Sequence, residues 1–324
     1  MSINQDKIHG MLIGVAIGDA LGAPHEFRTY TRADQYNGLI HLPIISQTRW
    51  QGKRIGAIGQ VTDDTELSLA LCSTLIEHRC YNENAAILAY LQWANTKPQM
   101  GRNTRKLFAG IKTIRGYRNR WKKEFESIPE SEVSQSNGCL MRCSPLSVLD
   151  NWKEAVKLDC RISNPTSICI AACTVYVGSI RDLFNGSTVD EVLDNAIDQS
   201  ESKEISSVLR DVKENKDRNV KGKTKGWILH AIYCAYSALM LDTSFNKSIN
   251  FVINKGGDTD TNAAIAGAML GARYGFEKLI SNGVTEENIR MILKCDTNDG
   301  NLGPRPIMYH PLMIHDYSIK LSNF

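Results

Sequence analysis

Gly10, Gly14 and Gly18 fall four residues apart inside an apolar run, and Gly267 and Gly271 repeat that spacing far along the chain, with Ala263 and Ala264 one turn earlier. Positions four apart share one face of a helix, so each set makes a stripe without side chains. A glycine inside a helix costs about 1 kcal/mol relative to alanine, and what the stripe offers in return is close approach of another helix. Two glycine-faced helices predict a tightly packed centre. The same period runs through the chain: apolar residues recur at three and four positions over 6–22, 63–80, 84–94, 164–182, 226–241 and 258–274. No run of alternating β-branched residues with hairpin turns competes with it. The expected body is all-α, with any strand content minor.

Composition narrows the partners. At 324 residues, 42% hydrophobic and 23% charged, the chain can bury a substantial core, and one or two domains are expected. A net charge of +3 creates no global field, so an anionic partner has to be recognised locally and no nucleic acid is expected. Nine cysteines, an odd count without a CxxC pair, read as reduced core residues. Cys139/Cys143 and Cys169/Cys173 could each share a helix face, but zinc prefers other spacings and no nearby histidine completes them, so packing is the expectation. The start, MSINQDKIHG, lacks the order of a signal peptide, and no stretch of about eighteen uncharged apolar residues occurs. A reducing, cytoplasmic setting without membrane contact is therefore expected. The charged stretches 115–135 and 211–226 are expected to be solvated loops or helix ends. "GKT" at 222–224 is no phosphate loop, because the first glycine of that motif would fall on Asp217 and no strand precedes it.

Hard oxygen atoms are concentrated in two places. "GQVTDDTELSLAL" (59–71) sets Thr62, Asp63, Asp64 and Thr65 in a row, and "NKGGDTDTNAA" (254–264) sets Asp258, Thr259, Asp260 and Thr261 in a row, each ahead of an apolar helical run. Helix capping is the plain alternative: Asp63 and Glu66 have capping-box spacing, and Thr259 or Asp260 can cap the second helix. A cap uses one side-chain oxygen, however, while each cluster offers at least three, and neighbouring carboxylates repel unless a cation lies among them. In an extended lead-in, Asp258 and Asp260 project to one side, with Thr261 at the first helical position. An EF-hand does not fit, since its loop glycine would be Ala263 and its final glutamate Met269. Oxygen donors without histidine or thiolate select Mg2+ or Mn2+, and four to five carboxylates suit two ions per chain better than one.

Four blocks, "GMLIGVAIGDALGAPHEF" (10–27), "GQVTDDTELSLAL", "SNGCLMRCSPL" (136–146) and "NKGGDTDTNAAIAGAMLGARYG" (254–275), resemble in order and interval the ADP-ribosylglycohydrolase family, over roughly residues 8–282. The resemblance implies a single domain over 1–324, a compact orthogonal helical bundle with a binuclear metal site in a central cleft. It also implies cleavage of the bond between ADP-ribose and an acceptor: arginine, serine, or the acetyl group of O-acetyl-ADP-ribose. The family's metal ligands fall on Thr62, Asp63, Asp64, Asp258, Asp260 and Thr261, with Asp260 best placed to bridge the ions. Glu26 falls at the substrate mouth, and Glu26, Asp63 and Asp64 are the candidate catalytic carboxylates. Gly101, Ser136, Asn137 and Gly138 match loops that relatives wrap around phosphates and riboses.

One block departs from the family. Relatives often carry a threonine-histidine pair where this chain reads "CRISNPTSICIAA" (160–172), so a histidine contact is absent or Asn164 replaces it. The tail, 295–324, lies beyond the blocks and matches no motif. The expected partner is an ADP-ribosylated protein or ADP-ribose conjugate, acted on by a monomer. Two other readings stay open, a catalytically inactive ADP-ribose binder and a magnesium-dependent phosphohydrolase.

Overall fold

The computed structural model describes residues 4–27, 46–47, 54–55, 59–96, 100–295 and 305–324. Fifteen α-helices follow one another along them: α1 (Gln5–Gly22), α2 (Asp63–His78), α3 (Glu83–Asn95), α4 (Arg102–Phe108), α5 (Ile114–Trp121), α6 (Trp152–Ser163), α7 (Ser167–Phe184), α8 (Val189–Gln199), α9 (Lys203–Lys213), α10 (Ile228–Met240), α11 (Phe245–Lys255), α12 (Thr259–Tyr274), α13 (Phe276–Ser281), α14 (Glu286–Lys294) and α15 (Ile314–Leu321). The strand content is one antiparallel pair among the described residues, Ser46–Gln47 with Arg54–Ile55. The all-α expectation holds, and the six long apolar segments read from the sequence correspond to α1, α2, α3, α7, α10 and α12.

The two glycine stripes meet each other. A Cβ built on Gly10 would stand 2.4 Å from the Gly271 carbonyl oxygen, one on Gly14 2.0 Å from that of Gly267, one on Gly18 2.0 Å from that of Ala263, and one on Gly22 2.3 Å from that of Thr259. Rising numbers on α1 meet falling numbers on α12, so the helices run antiparallel with backbone against backbone. α1 is buried from Ile8 to Gly22 and α12 from Thr259 to Ala272. A helix apolar on every side belongs in the centre, and these two form it. The far end of α1 is tied to the start of α12, because the Thr259 hydroxyl donates to the Gly22 carbonyl at 2.8 Å.

Gly256 and Gly257, at φ +74° and +81°, end α11 and turn the chain into α12. The helix begins at Thr259, one residue after Asp258. Asp260 therefore sits in the first helical turn, and the extended lead-in expected for it is corrected. The stretch 115–135 is also more ordered than expected: α5 opens it, with Tyr117 buried and donating to the Ile162 carbonyl at 2.8 Å. By length and composition α7 is apolar enough to cross a membrane. In this fold it packs against α6, α8 and α12, and its Arg181 donates to the Ser147 and Leu149 carbonyls at 2.7 and 2.8 Å.

The tail is built into the body, although residues 296–304 lie outside the described ones. α15 packs on α1 and α2. Arg305 is buried, pairs with Glu66 at 2.5 Å, and donates to the Val61 carbonyl at 3.3 Å just ahead of α2. Glu66 also accepts from Trp93 Nε1 at 2.6 Å.

The central contact has a direct test. Gly14→Ala favours α1 by about 1 kcal/mol of helix propensity, yet sets a methyl against backbone that cannot rotate away. Overpacking a core costs roughly 1–3 kcal/mol and occasionally more. The net loss in a urea unfolding titration is expected at the top of that range or above it. A variant as stable as the parent would show that these helices do not touch in this way.

Candidate functional site

The antiparallel contact delivers the end of α1 to the start of α12, and α2 begins beside both. Asp19 is fully buried on α1 and reaches across to α2. Its Oδ2 accepts the Thr62 and Thr65 amides at 2.9 and 3.1 Å and the Thr65 hydroxyl at 2.6 Å, while Oδ1 accepts the Thr62 hydroxyl at 2.8 Å. A carboxylate from another helix thus satisfies donors that open α2. Thr62, the N-cap residue, makes no side-chain cap, and neither does Asp258 at the start of α12. Glu66 is turned away to Trp93 and Arg305. Capping by the clusters' own side chains is not what these oxygens do, apart from Asp260 Oδ1, which accepts the Thr261 amide at 2.9 Å.

Carboxylates from three segments converge. Oxygens of Glu26, Asp258 and Asp260 lie within 4.8 Å of one another. The Phe27 amide donates to the Gly257 carbonyl at 2.9 Å and fixes this approach, with Phe27 itself in the left-handed region at φ +55°. Asn137 Nδ2 donates to Asp258 Oδ2 at 2.9 Å. Burial first, then Asp19 and Glu66, pushes Asp63 up to about 7, against a backbone hydrogen bond from Gly101. Burial, Asp19, Asp63 and Asp258 hold Asp64 well above the usual carboxylate range. Asp260 is raised likewise by burial, Glu26, Asp258 and Asp64. Glu26 presents an exposed edge at the mouth, yet the protein packed on its other side, then Asp258 and Asp63, pushes it up to about 8. The structure therefore brings together Glu26, Thr62, Asp63, Asp64, Asp258, Asp260 and the buried Thr261. Asp64 Oδ1 is buried with no hydrogen-bond partner. An all-oxygen set with an unpartnered buried carboxylate oxygen has the chemistry of a hard divalent cation site.

Two residues of the site were not anticipated. Asp19 is the one acid in the buried stretch 8–22 of α1, set among apolar residues and glycines. Lys225 belongs to the stretch 211–226, read as plain charged surface; that reading is corrected here, because its ammonium lies 3.6 Å from the centre of the Phe27 ring and lowers Glu26 and Asp258.

The loop 136–138 is held from below. Arg142, buried, donates to the Gly138 carbonyl at 2.9 Å and to Ser163 Oγ at 2.8 Å, and pairs with the buried Asp159 at 3.0 Å. Asn164 donates to the Ser136 carbonyl at 3.0 Å and to its hydroxyl oxygen at 3.1 Å. At the position where the resemblance leads us to expect a histidine, this chain uses an amide to shape the loop. A Cβ on Gly101 or Gly138 would make only ordinary van der Waals contact, at 3.9 Å with Thr104 Oγ1 in both cases and with Asn164 Oδ1 for Gly138.

The crowding sets a pH dependence in metal-free protein. Glu26 and Asp63 ionise near 4.5 and 3.8 in the unfolded chain but near 8 and 7 in the folded one. Between about pH 4.5 and 8 the folded state binds more protons, so stability falls as pH rises through that window. Melting temperatures in chelator should drop from pH 5 to 8, less steeply for Glu26→Gln. A curve that rises over this range would contradict the crowding.

The profile of the ADP-ribosylglycohydrolase family matches residues 1–287. The chain is 26% identical over 294 residues to the ADP-ribosyl-[dinitrogen reductase] glycohydrolase of Rhodospirillum rubrum, covering 88% of this chain and 92% of that protein. It is 22% identical over 285 residues to the ADP-ribosylarginine hydrolase Tri1 of Pseudomonas putida, covering 83% of this chain and 71% of that one. A solved ADP-ribosylglycohydrolase-related protein complex shares the fold, with a TM-score of 0.67 and 19% identity over 98% of both chains. A profile spanning both oxygen clusters and the helices that join them decides the matter: the chain belongs to the ADP-ribosylglycohydrolase family.

Proposed function

We propose that this protein is a metal-dependent hydrolase that frees ADP-ribose from an acceptor, with an ADP-ribosylated arginine side chain the favoured substrate. The observation that carries the reading is Asp64 Oδ1, buried without a partner among carboxylates that repel one another. Thr62, Asp63, Asp64, Asp258, Asp260 and Thr261 would hold two magnesium or manganese ions. Such ions, when bound, fix vicinal hydroxyls and acidify a water. In the reaction a water oxygen joins the ribose anomeric carbon, the bond to the acceptor breaks with its electron pair leaving on the acceptor, and a proton follows it.

The protein's own groups have distinct work. Glu26 stands at the mouth with a carboxyl that ionises near neutral pH in the metal-free protein, a suitable property for passing a proton to the leaving group or taking one from water. Asn137 holds Asp258 in place through its amide. Lys225 offers a cation beside Glu26, suited to the diphosphate of ADP-ribose. The acidic mouth favours a guanidinium acceptor, in keeping with the name of the Pseudomonas putida relative.

With magnesium, pure protein should release ADP-ribose from ADP-ribosylated arginine faster than from ADP-ribosylated serine or O-acetyl-ADP-ribose, followed by chromatography. Asp260→Asn should lower the rate at least about a hundredfold with helical content unchanged, the scale on which loss of an electrostatic stabiliser is felt. Silence on all three substrates, with tight ADP-ribose binding in calorimetry, would establish the inactive binder instead. Phosphate in place of ADP-ribose as the product would establish a phosphohydrolase.

A further inference from the structure

Three cysteines with no part in this chemistry lie with their sulfurs together beneath the loop 136–138. Cys139 closes the turn Asn137–Cys139, Cys160 lies on α6 and Cys173 on α7. All three are buried, their sulfurs lie within 4.8 Å of one another, and those of Cys139 and Cys173 are 3.6 Å apart. Three separate elements supply them, so the group is a product of tertiary folding. The i,i+4 pairs legible in the sequence miss it, because the third sulfur comes from α6.

Burial pushes the Cys160 thiol up, but hydrogen bonds from Cys139 and Cys173 and the Arg142 guanidinium outweigh it and bring it down to about 7. Cys139 is pushed up to about 11, first by burial, and Cys173 also goes up. Cys160 Sγ donates to the Asn164 carbonyl at 3.3 Å, so in this structure the group is a set of thiols brought together by tertiary packing.

We propose that Cys139, Cys160 and Cys173 form a three-sulfur site for a soft monovalent cation, cuprous copper being the type. Thiolate sulfur selects soft ions, and three sulfurs within 4.8 Å of one another suit an ion content with three ligands; the thiol protons displaced on binding go to solvent. Zinc wants a fourth ligand in a closed site. No further histidine, cysteine or carboxylate among the described residues lies within 4.8 Å of all three sulfurs, although Cys169 neighbours Cys139 and Cys143 neighbours Cys173. Cys139 shares its turn with Asn137, which holds Asp258, so a bound ion stiffens the floor of the loop.

The test loads cuprous copper without oxygen, from a weak chelator, into the full chain carrying Cys80→Ser, which removes the exposed thiol. One ion per chain is expected to survive desalting, with X-ray absorption showing three sulfur neighbours and no nitrogen or oxygen. Adding Cys139→Ala or Cys173→Ala should abolish retention, whereas Cys234→Ala, a buried cysteine outside the group, should not. Zinc in a parallel arm should be lost on the same column. Failure to retain copper, a nitrogen or oxygen shell, retention undiminished in either cluster variant, or zinc held as well as copper overturns the proposal. If a cluster variant does not fold, the absorption spectrum of the Cys80→Ser protein decides alone. No readout involves hydrolysis, so the outcome is independent of the function proposed above.

Discussion

Everything at the site depends on one contact, the glycine face of α1 laid against the glycine face of α12. Backbone meets backbone at Gly10, Gly14, Gly18 and Gly22, with no side chain between to adjust the spacing. The chain gives up helix propensity at every glycine, about 1 kcal/mol each, and obtains a fixed relation between two helix ends. That relation puts Asp19 and Glu26 beside Asp258 and Asp260. It also lets Asp19 reach the opening amides of α2, which brings Asp63 and Asp64 to the same place. Segments almost two hundred residues apart share a site because two helices can touch without side chains.

The treatment of buried charge separates scaffold from site. Arg142 and Asp159 are paired and further satisfied by the Gly138 carbonyl, the Asp159 carbonyl, Ser163 and Tyr90. Glu66 has Arg305 and Trp93. Removing one member of such a pair leaves the other uncompensated, at roughly 3–5 kcal/mol. Asp63, Asp64 and Asp260 have no comparable cation, and Asp258 has only Lys225, which it shares with Glu26. The fold gives Glu66 and Asp159 a cation each, yet leaves Asp64 Oδ1 buried without a hydrogen-bond partner, the feature on which the proposed cation site rests.

The long apolar helices were legible because their period is unbroken, and the glycine stripes were legible because a repeat of four on two segments has few other uses. Short helices such as α4, α8 and α9 escaped, since half of each faces water and the apolar signal is brief. Asp260 was assigned the right neighbours for the wrong local reason: Gly256 and Gly257 allow α12 to start at Thr259, earlier than the spacing of the aspartates suggested. Asp19 and Lys225 were hidden by context, one inside an apolar helix and the other within a charged surface stretch. The cysteine group was out of reach because its third sulfur joins only when α6 packs beside α7. The tail gave no sign of itself, as Arg305 has meaning only opposite Glu66.

The central claim is that α1 and α12 assemble the two oxygen clusters into one cation site. Anomalous diffraction from crystals grown with manganese tests it most directly. Two manganese peaks are expected roughly 3.5–4 Å apart, the separation usual for paired catalytic ions, enclosed by Thr62, Asp63, Asp64, Asp258, Asp260 and Thr261, with Asp260 touching both. Peaks confined to other parts of the surface, or none at saturating manganese, would contradict the account.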